Sequence, residues 1–165
     1  MRKYRATLTY TEPLVARAVI LYWRRSIGIG LVVAVLVTIA ALLWLVTNGD
    51  RTWMVGLLGA VVALGISFPA LVYVVHYRNS MGKFREMGNP VAEFIVDDDA
   101  FTLASDRGTT TLKWTAIREV WRFESLWLLL FSRAQFVTVP LDGVSEQMRA
   151  FVLERIKASG GKFAV

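Results

Sequence analysis

Two stretches of this chain contain no Asp, Glu, Lys or Arg: Ile27 to Val46, and Trp53 to Tyr77. A helix rises 1.5 Å per residue, so the shorter stretch is ~30 Å long, the thickness of a bilayer's hydrocarbon core. In that medium every backbone N–H and C=O must be paired inside the segment, which a helix achieves. The whole chain has 165 residues, too few to wrap two helices that are apolar on every side. Two membrane spans are therefore expected in place of two core helices. A cleaved signal peptide fits badly, because the first apolar run starts only at residue 27 and no small-x-small site follows Val46.

Only Thr47 to Thr52 separate the spans, so the helices should form an antiparallel hairpin. Lys and Arg are retained on the cytoplasmic side of a membrane. Arg17, Arg24 and Arg25 precede the first span, and Arg78, Lys83 and Arg85 follow the second, against Arg51 alone in the turn. Both termini are expected in the cytoplasm. Amphipathic rings favour the headgroup level, which assigns Trp44 and Trp53 to the outer interface. Tyr22, Trp23 and Tyr77 fall at the inner one, beside Arg24, Arg25 and Arg78. Small residues recur at four-residue spacing: Gly30, Ala34 and Thr38 in the first span, Gly56 with Ala60 and Gly59 with Ala63 in the second. Such spacing lets helix backbones approach. Packing within the hairpin is the plainer reading, and contacts between copies of the chain the alternative. Pro69 removes one helical hydrogen bond and should kink the second span. Transport paths usually place ionisable groups inside the membrane. Here the only candidate is His76, at the cytoplasmic end, so a transporter or channel is disfavoured.

The net charge of +6 invites a nucleic-acid reading until it is located. Residues 1–26 hold six basic side chains and Glu12, whereas from residue 79 onward eleven basic residues meet eleven acidic ones. A nucleic-acid binder carries its basic surface on the folded domain, and this domain is neutral. The chain has no cysteine and one histidine, which removes thiol chemistry and Cys- or His-rich metal sites.

The first 26 residues read as a strand, Lys3 to Tyr10, and then a helix capped by Thr11 with Glu12 and Pro13 in its first turn. Leu14, Val15, Ala18, Val19, Tyr22 and Trp23 share one face of that helix, suiting it to the headgroup region. Equally, 12–46 is one long helix with snorkelling arginines; the pattern leaves both open. Residues 78–90 form a linker that ends at Gly88-Asn89-Pro90 and should hold the C-terminal domain close to the bilayer.

From Val91 onward the periodicity becomes that of strands. Segments run Val91–Asp97, Ala100–Ser105, Thr109–Trp114, Ile117–Phe123, Leu126–Phe131 and Phe136–Pro140. Asp97 to Asp99, Asp106 to Gly108, Glu124-Ser125 and Ser132 to Gln135 supply the turns. Leu126 to Phe131 is apolar throughout, as in a central strand covered on both faces. Short, evenly spaced strands predict an antiparallel meander curling into a barrel or sandwich. Ser145 can cap a closing helix with Met148, Phe151, Val152 and Ile156 on one stripe, ended by Gly160-Gly161. The expected fold class is thus a membrane α-hairpin plus an α+β domain, 27–77 and 91–165.

Certain residues carry a family likeness. Leu8-Thr9-Tyr10-Thr11-Glu12 precedes a helix and two spans; then come Phe101, Arg107-Gly108, Leu112 to Val120 with Trp114 and Ile117, Leu126 to Leu130, and Phe136 to Pro140 with Val139 and Pro140. In these the chain resembles the YcxB-like family of bacterial membrane proteins. Thr115 after Trp114 departs from the Ser or Asp associated with that family. The resemblance implies a bacterial inner-membrane protein whose domain looks like a pleckstrin-homology domain, seven strands capped by one helix. Six strands come after the hairpin, so Lys3 to Tyr10 would be the seventh and the hairpin an insertion between the first two strands. The resemblance implies no activity for any residue.

No phosphate loop, dinucleotide glycine pattern, His-Glu-x-x-His or Gly-x-Ser-x-Gly occurs. Asp97-Asp98-Asp99 lacks the spaced partners of a cation loop and reads as a solvated turn. Trp114, Trp121 and Trp127 read as packing residues. Arg107, Lys113, Arg118 and Arg122 interleave with Asp106, Glu119 and Glu124 as a mixed surface. No catalytic, cofactor or metal residues are assigned, and the expected partners are the bilayer and either another protein or a second copy of the chain. A non-enzymatic, membrane-anchored interaction module is the leading expectation. The alternative is an accessory subunit of an oligomeric inner-membrane assembly for transport or the envelope; a hydrolase or transferase has almost no residue support.

Overall fold

A computed structural model describes residues 2–132 and 135–164. The chain forms two compact units: Val19–Ser80, and a second built from the residues up to Ala18 together with those from Met81 onward. The second unit is the β-domain. It begins before the hairpin, with strand β1 (Tyr4–Thr9), and resumes after it with β2 (Val91–Val96), β3 (Ala100–Ser105), β4 (Gly108–Lys113), β5 (Glu119–Arg122), β6 (Leu126–Leu130), β7 (Phe136–Pro140), helix α3 (Glu146–Ala158) and β8 (Lys162–Ala164). Of the expected turn at Ser132 to Gln135, residues 133 and 134 lie outside the described residues.

The strands form two four-stranded sheets, β1-β2-β3-β4 and β7-β6-β5-β8. β1 pairs antiparallel with β2 over six residue pairs, from Tyr4 opposite Val96 to Thr9 opposite Val91. The segment Lys3 to Tyr10 therefore supplies a strand, Tyr4–Thr9, to the first sheet. One core lies between the sheets: Ala6 and Leu8 of β1, Phe94 and Val96 of β2, Phe101 of β3, Val120, Trp127 and Leu129 of the second sheet, and Met148, Phe151, Val152 and Ile156 of α3. Ser145 caps α3 as expected, its hydroxyl accepting from Met148 N at 3.3 Å. Every residue of β6 is buried, in keeping with its continuous apolar run and central place.

The sheets do not close into a barrel. β4 leads into a 3₁₀ turn, Trp114–Ala116, instead of a hairpin. The edge of β5 away from β6 is taken by β8, which runs parallel to it from Glu119 opposite Lys162 to Trp121 opposite Ala164. With both sides of β5 occupied, β4 has no partner there. β8 itself was not expected. Gly160, at φ 83°, lets the chain reverse after α3. A Cβ on Gly161 would lie 2.5 Å from Ile156 Cγ2, so glycine is needed for that close return.

Helix α1 runs Glu12–Thr47 and α2 runs Trp53–Glu86. α1 is broken at Gly28, where φ is 67° and ψ 154°. That backbone conformation is almost confined to glycine. The break answers the question that the sequence left open: 12–27 is a separate helix and the apolar span starts after it. Val15, Ala18, Val19 and Tyr22 on the shorter helix are all buried in protein. Leu14 and Trp23 of the same face are half-buried. α2 passes through Pro69 as one helix. The most apolar eighteen-residue window of each helix has none of its residues buried, and both helices are long and apolar enough to cross a membrane. Thr38 and Ser67 turn their hydroxyls back onto the carbonyls of Ala34 and Ala63, at 2.8 and 2.7 Å, which satisfies these groups within their own helices.

Candidate functional site

Polar chemistry in the β-domain is tied up in its architecture. Asp97 Oδ1 accepts from the amides of Asp99 and Ala100, at 3.0 and 2.9 Å, and its carbonyl accepts from Trp114 Nε1 at 3.0 Å. Asp98 pairs with Arg155 of α3 and accepts from Arg2 N at 3.1 Å. Arg2 and Arg155 both lie over the Phe151 ring, at 5.4 and 5.2 Å. The acidic turn thus ties the start of β1 to α3. At the far end of the same sheet, Arg107 pairs with Glu86 at 2.8 Å and Asp106 accepts from Asn89 N at 3.0 Å. Two members of the mixed surface are therefore fastened to the linker, while Lys113, Arg118 and Arg122 are exposed. Trp114, Trp121 and Trp127 are buried as packing residues. Among the described residues no cluster of three His, Asp or Glu is placed to hold a metal.

Tyr10 joins the first strand to the second sheet, donating from its hydroxyl to Thr138 O at 3.0 Å. Burial pushes its phenol up to about 12, because the ionised form loses hydration there.

In the helical unit the two halves of the hairpin meet along a seam repeating at about 3.5 residues. Val35, Thr38, Ile39, Leu42 and Leu45 are half-buried on α1, and Val55, Leu58, Gly59, Val62 and Gly65 on α2. Of the small residues singled out for helix packing, only Thr38 and Gly59 lie on this seam. Gly30, Ala34, Gly56, Ala60 and Ala63 are exposed, and a Cβ on Gly30 or Gly56 would meet nothing within 4 Å. The close approach is at Gly65, which sequence spacing did not single out: a Cβ there would lie 2.7 Å from Val35 Cγ2.

The residues assigned to the membrane interface separate into two groups. Trp53, Arg24 and Arg78 are exposed, Trp53 at 77%. Trp23, Arg25 and Tyr77 are half-buried. Trp23 Nε1 donates to the Pro69 carbonyl at 2.7 Å, and its ring meets Tyr73 edge-on at 5.8 Å. Tyr73 stacks on Tyr77, and Tyr22 lies 4.9 Å from the His76 ring. Much of this aromatic belt is thus helix packing, which the sequence could show as position but not as contact.

What remains open on the β-domain is its edges. β4 is exposed at five of its six positions. Alongside β5 and β8, a groove of about 530 Å3 is lined by Arg122, Ala150, Leu153, Glu154, Lys157 and Phe163.

The chain matches no curated protein and no solved structure. Residues 96–154 match the family model described as YcxB-like protein. The likeness read from Trp114, Ile117, Val139 and Pro140 is thereby a family match over that stretch, which lies wholly after the two helices and takes in most of the β-domain.

Proposed function

We propose that this is a non-enzymatic protein of the bacterial inner membrane, anchored by its hairpin and presenting a pleckstrin-homology-like β-domain to a protein partner in the cytoplasm. The observation that carries the reading is the pairing of β1 with β2. These strands flank the two apolar helices in the sequence, so the β-domain is laced to its anchor at both ends. Strands that share a sheet lie on one side of any membrane between them, which fits two crossings. The arginines at Arg17, Arg24, Arg25 and Arg78 favour the cytoplasm for that side. Two four-stranded sheets, antiparallel except for the β5–β8 pair, over one core with a closing helix support the pleckstrin-homology likeness. Engagement of Asp97, Asp98 and Asp106 in turns and clamps supports binding over catalysis. A second reading, as an accessory subunit of an oligomeric membrane assembly, draws on the exposed small residues Gly30, Ala34, Gly56, Ala60 and Ala63.

Photo-crosslinking residues placed one at a time in the full-length chain separate the two. Adducts with another protein from Thr110 of β4 or Lys157 of α3 support the module. Adducts from Ala34 and Ala60 alone transfer the function to the spans. A C-terminal reporter active only outside the cytoplasm would overturn the orientation.

A further inference from the structure

Building on the protein-binding reading, we infer that the groove between α3 and the β5–β8 edge receives an extended, acidic segment of the partner. One wall is a stripe of α3, Ala150, Leu153, Glu154 and Lys157, recurring at helical spacing. The other is Arg122 at the end of β5 and Phe163 of β8. Phe163 is opposite Val120 in register, and Val120 faces the core. By the alternation of a strand, Phe163 therefore lies on the α3 side of the sheet, where it is still 36% exposed. Leu153, packed partly against the core, continues the apolar floor.

The rim is cationic. Glu154 is within 3.9 Å of Arg2. Among the described residues neither Arg122 nor Lys157 has an ion-pair partner within 4 Å, and Arg122 is exposed. A carboxylate-bearing segment with an apolar side chain between its acids satisfies rim and floor together. A lipid headgroup would use the rim alone. That this border of the sheet takes extended backbone is shown by β8, held parallel to β5 by Lys162 N donating to Arg118 O at 2.9 Å.

The test uses the full-length protein in nanodiscs of zwitterionic lipid, panned against a displayed library of random twelve-residue peptides. Enrichment of peptides that combine Asp or Glu with spaced apolar residues is expected, with binding weakened about tenfold or more by Arg122→Glu plus Lys157→Glu. Lys113→Glu on exposed β4 should leave it unchanged, and melting of both variants must match the parent. Peptides enriched without acidic character, or bound equally by the double variant, overturn the groove and leave the interaction module standing. No enrichment over empty nanodiscs overturns both. If the double variant loses only binding of added anionic vesicles, the rim is a membrane contact and the inference fails.

Discussion

Leu8 and Leu64 are the same side chain in two settings. Leu8, on β1, is wholly buried in the core of the β-domain, whereas Leu64, on α2, is 67% exposed on a helix made almost entirely of apolar residues. In the β-domain, order comes from residues far apart in sequence: β1 pairs with a strand more than eighty positions later. In the helical unit each backbone bond closes within its own helix, and lipid can supply the surroundings that protein supplies to Leu8. The same apolar character thus does different work in the two units: in one it drives protein packing, in the other it makes helices long and apolar enough to cross a membrane.

The largest effect that tests this contrast is removal of β1. Deleting residues 2–9 strips the β1–β2 ladder and should abolish cooperative unfolding of the β-domain, while the helical circular-dichroism signal of the hairpin in detergent persists. A chain beginning at Val91 that folds unaided would break the comparison. Next, Leu8→Ala should cost about 3 kcal/mol in denaturant titration, and Leu64→Ala in detergent less than about 0.5 kcal/mol. Equal losses would mean that Leu64 packs on protein. Within the hairpin, Gly65→Ala drives a methyl into Val35 and should cost about 1 kcal/mol in a detergent-denaturation assay. Gly30→Ala meets open space and should be neutral or slightly stabilising. If the order is reversed, the stripe of small residues carries the packing after all.

A separate effect, confined to alkali, tests the β-domain alone. The Tyr10 phenol keeps its proton up to about 12 when folded and releases it near 10 when unfolded. Between those values the unfolded chain binds fewer protons, so stability is intact below pH 10 and falls as pH rises toward 12. The loss is about 2 kcal/mol after allowance for partial exposure. Tyr10→Phe should flatten that part of the profile while costing about 1 kcal/mol near neutrality through the hydrogen bond to Thr138.

How far these features could be read in advance depends on their range. The two apolar helices, the alternation of Ala92, Phe94 and Val96, and the Ser145 cap are local patterns, and they are where the sequence places them. The barrel expectation failed because strand count says nothing about which edges pair. β8 is three residues long, sits directly after a glycine pair, has almost no propensity signal and exists through β5. Gly28 and Gly65 were hidden for a different reason. In an apolar run a glycine with positive φ, a glycine in a tight contact and a glycine facing lipid look alike, and only three-dimensional neighbours distinguish them. The groove beside α3 assembles residues from three elements, so no window of sequence contains it.

The position of β1 also bears on biosynthesis. The ribosome delivers Tyr4–Thr9 before either helix and Val91–Val96 only after both. If the hairpin enters a bilayer, the first strand must wait until the second crossing is complete. A nascent chain that inserts one helix and stalls leaves the two halves of the ladder in different compartments, with Leu8 and Phe94 uncovered. Maturation of the sheet then acts as an inspection of topology, and a misinserted chain presents unprotected strands to proteases.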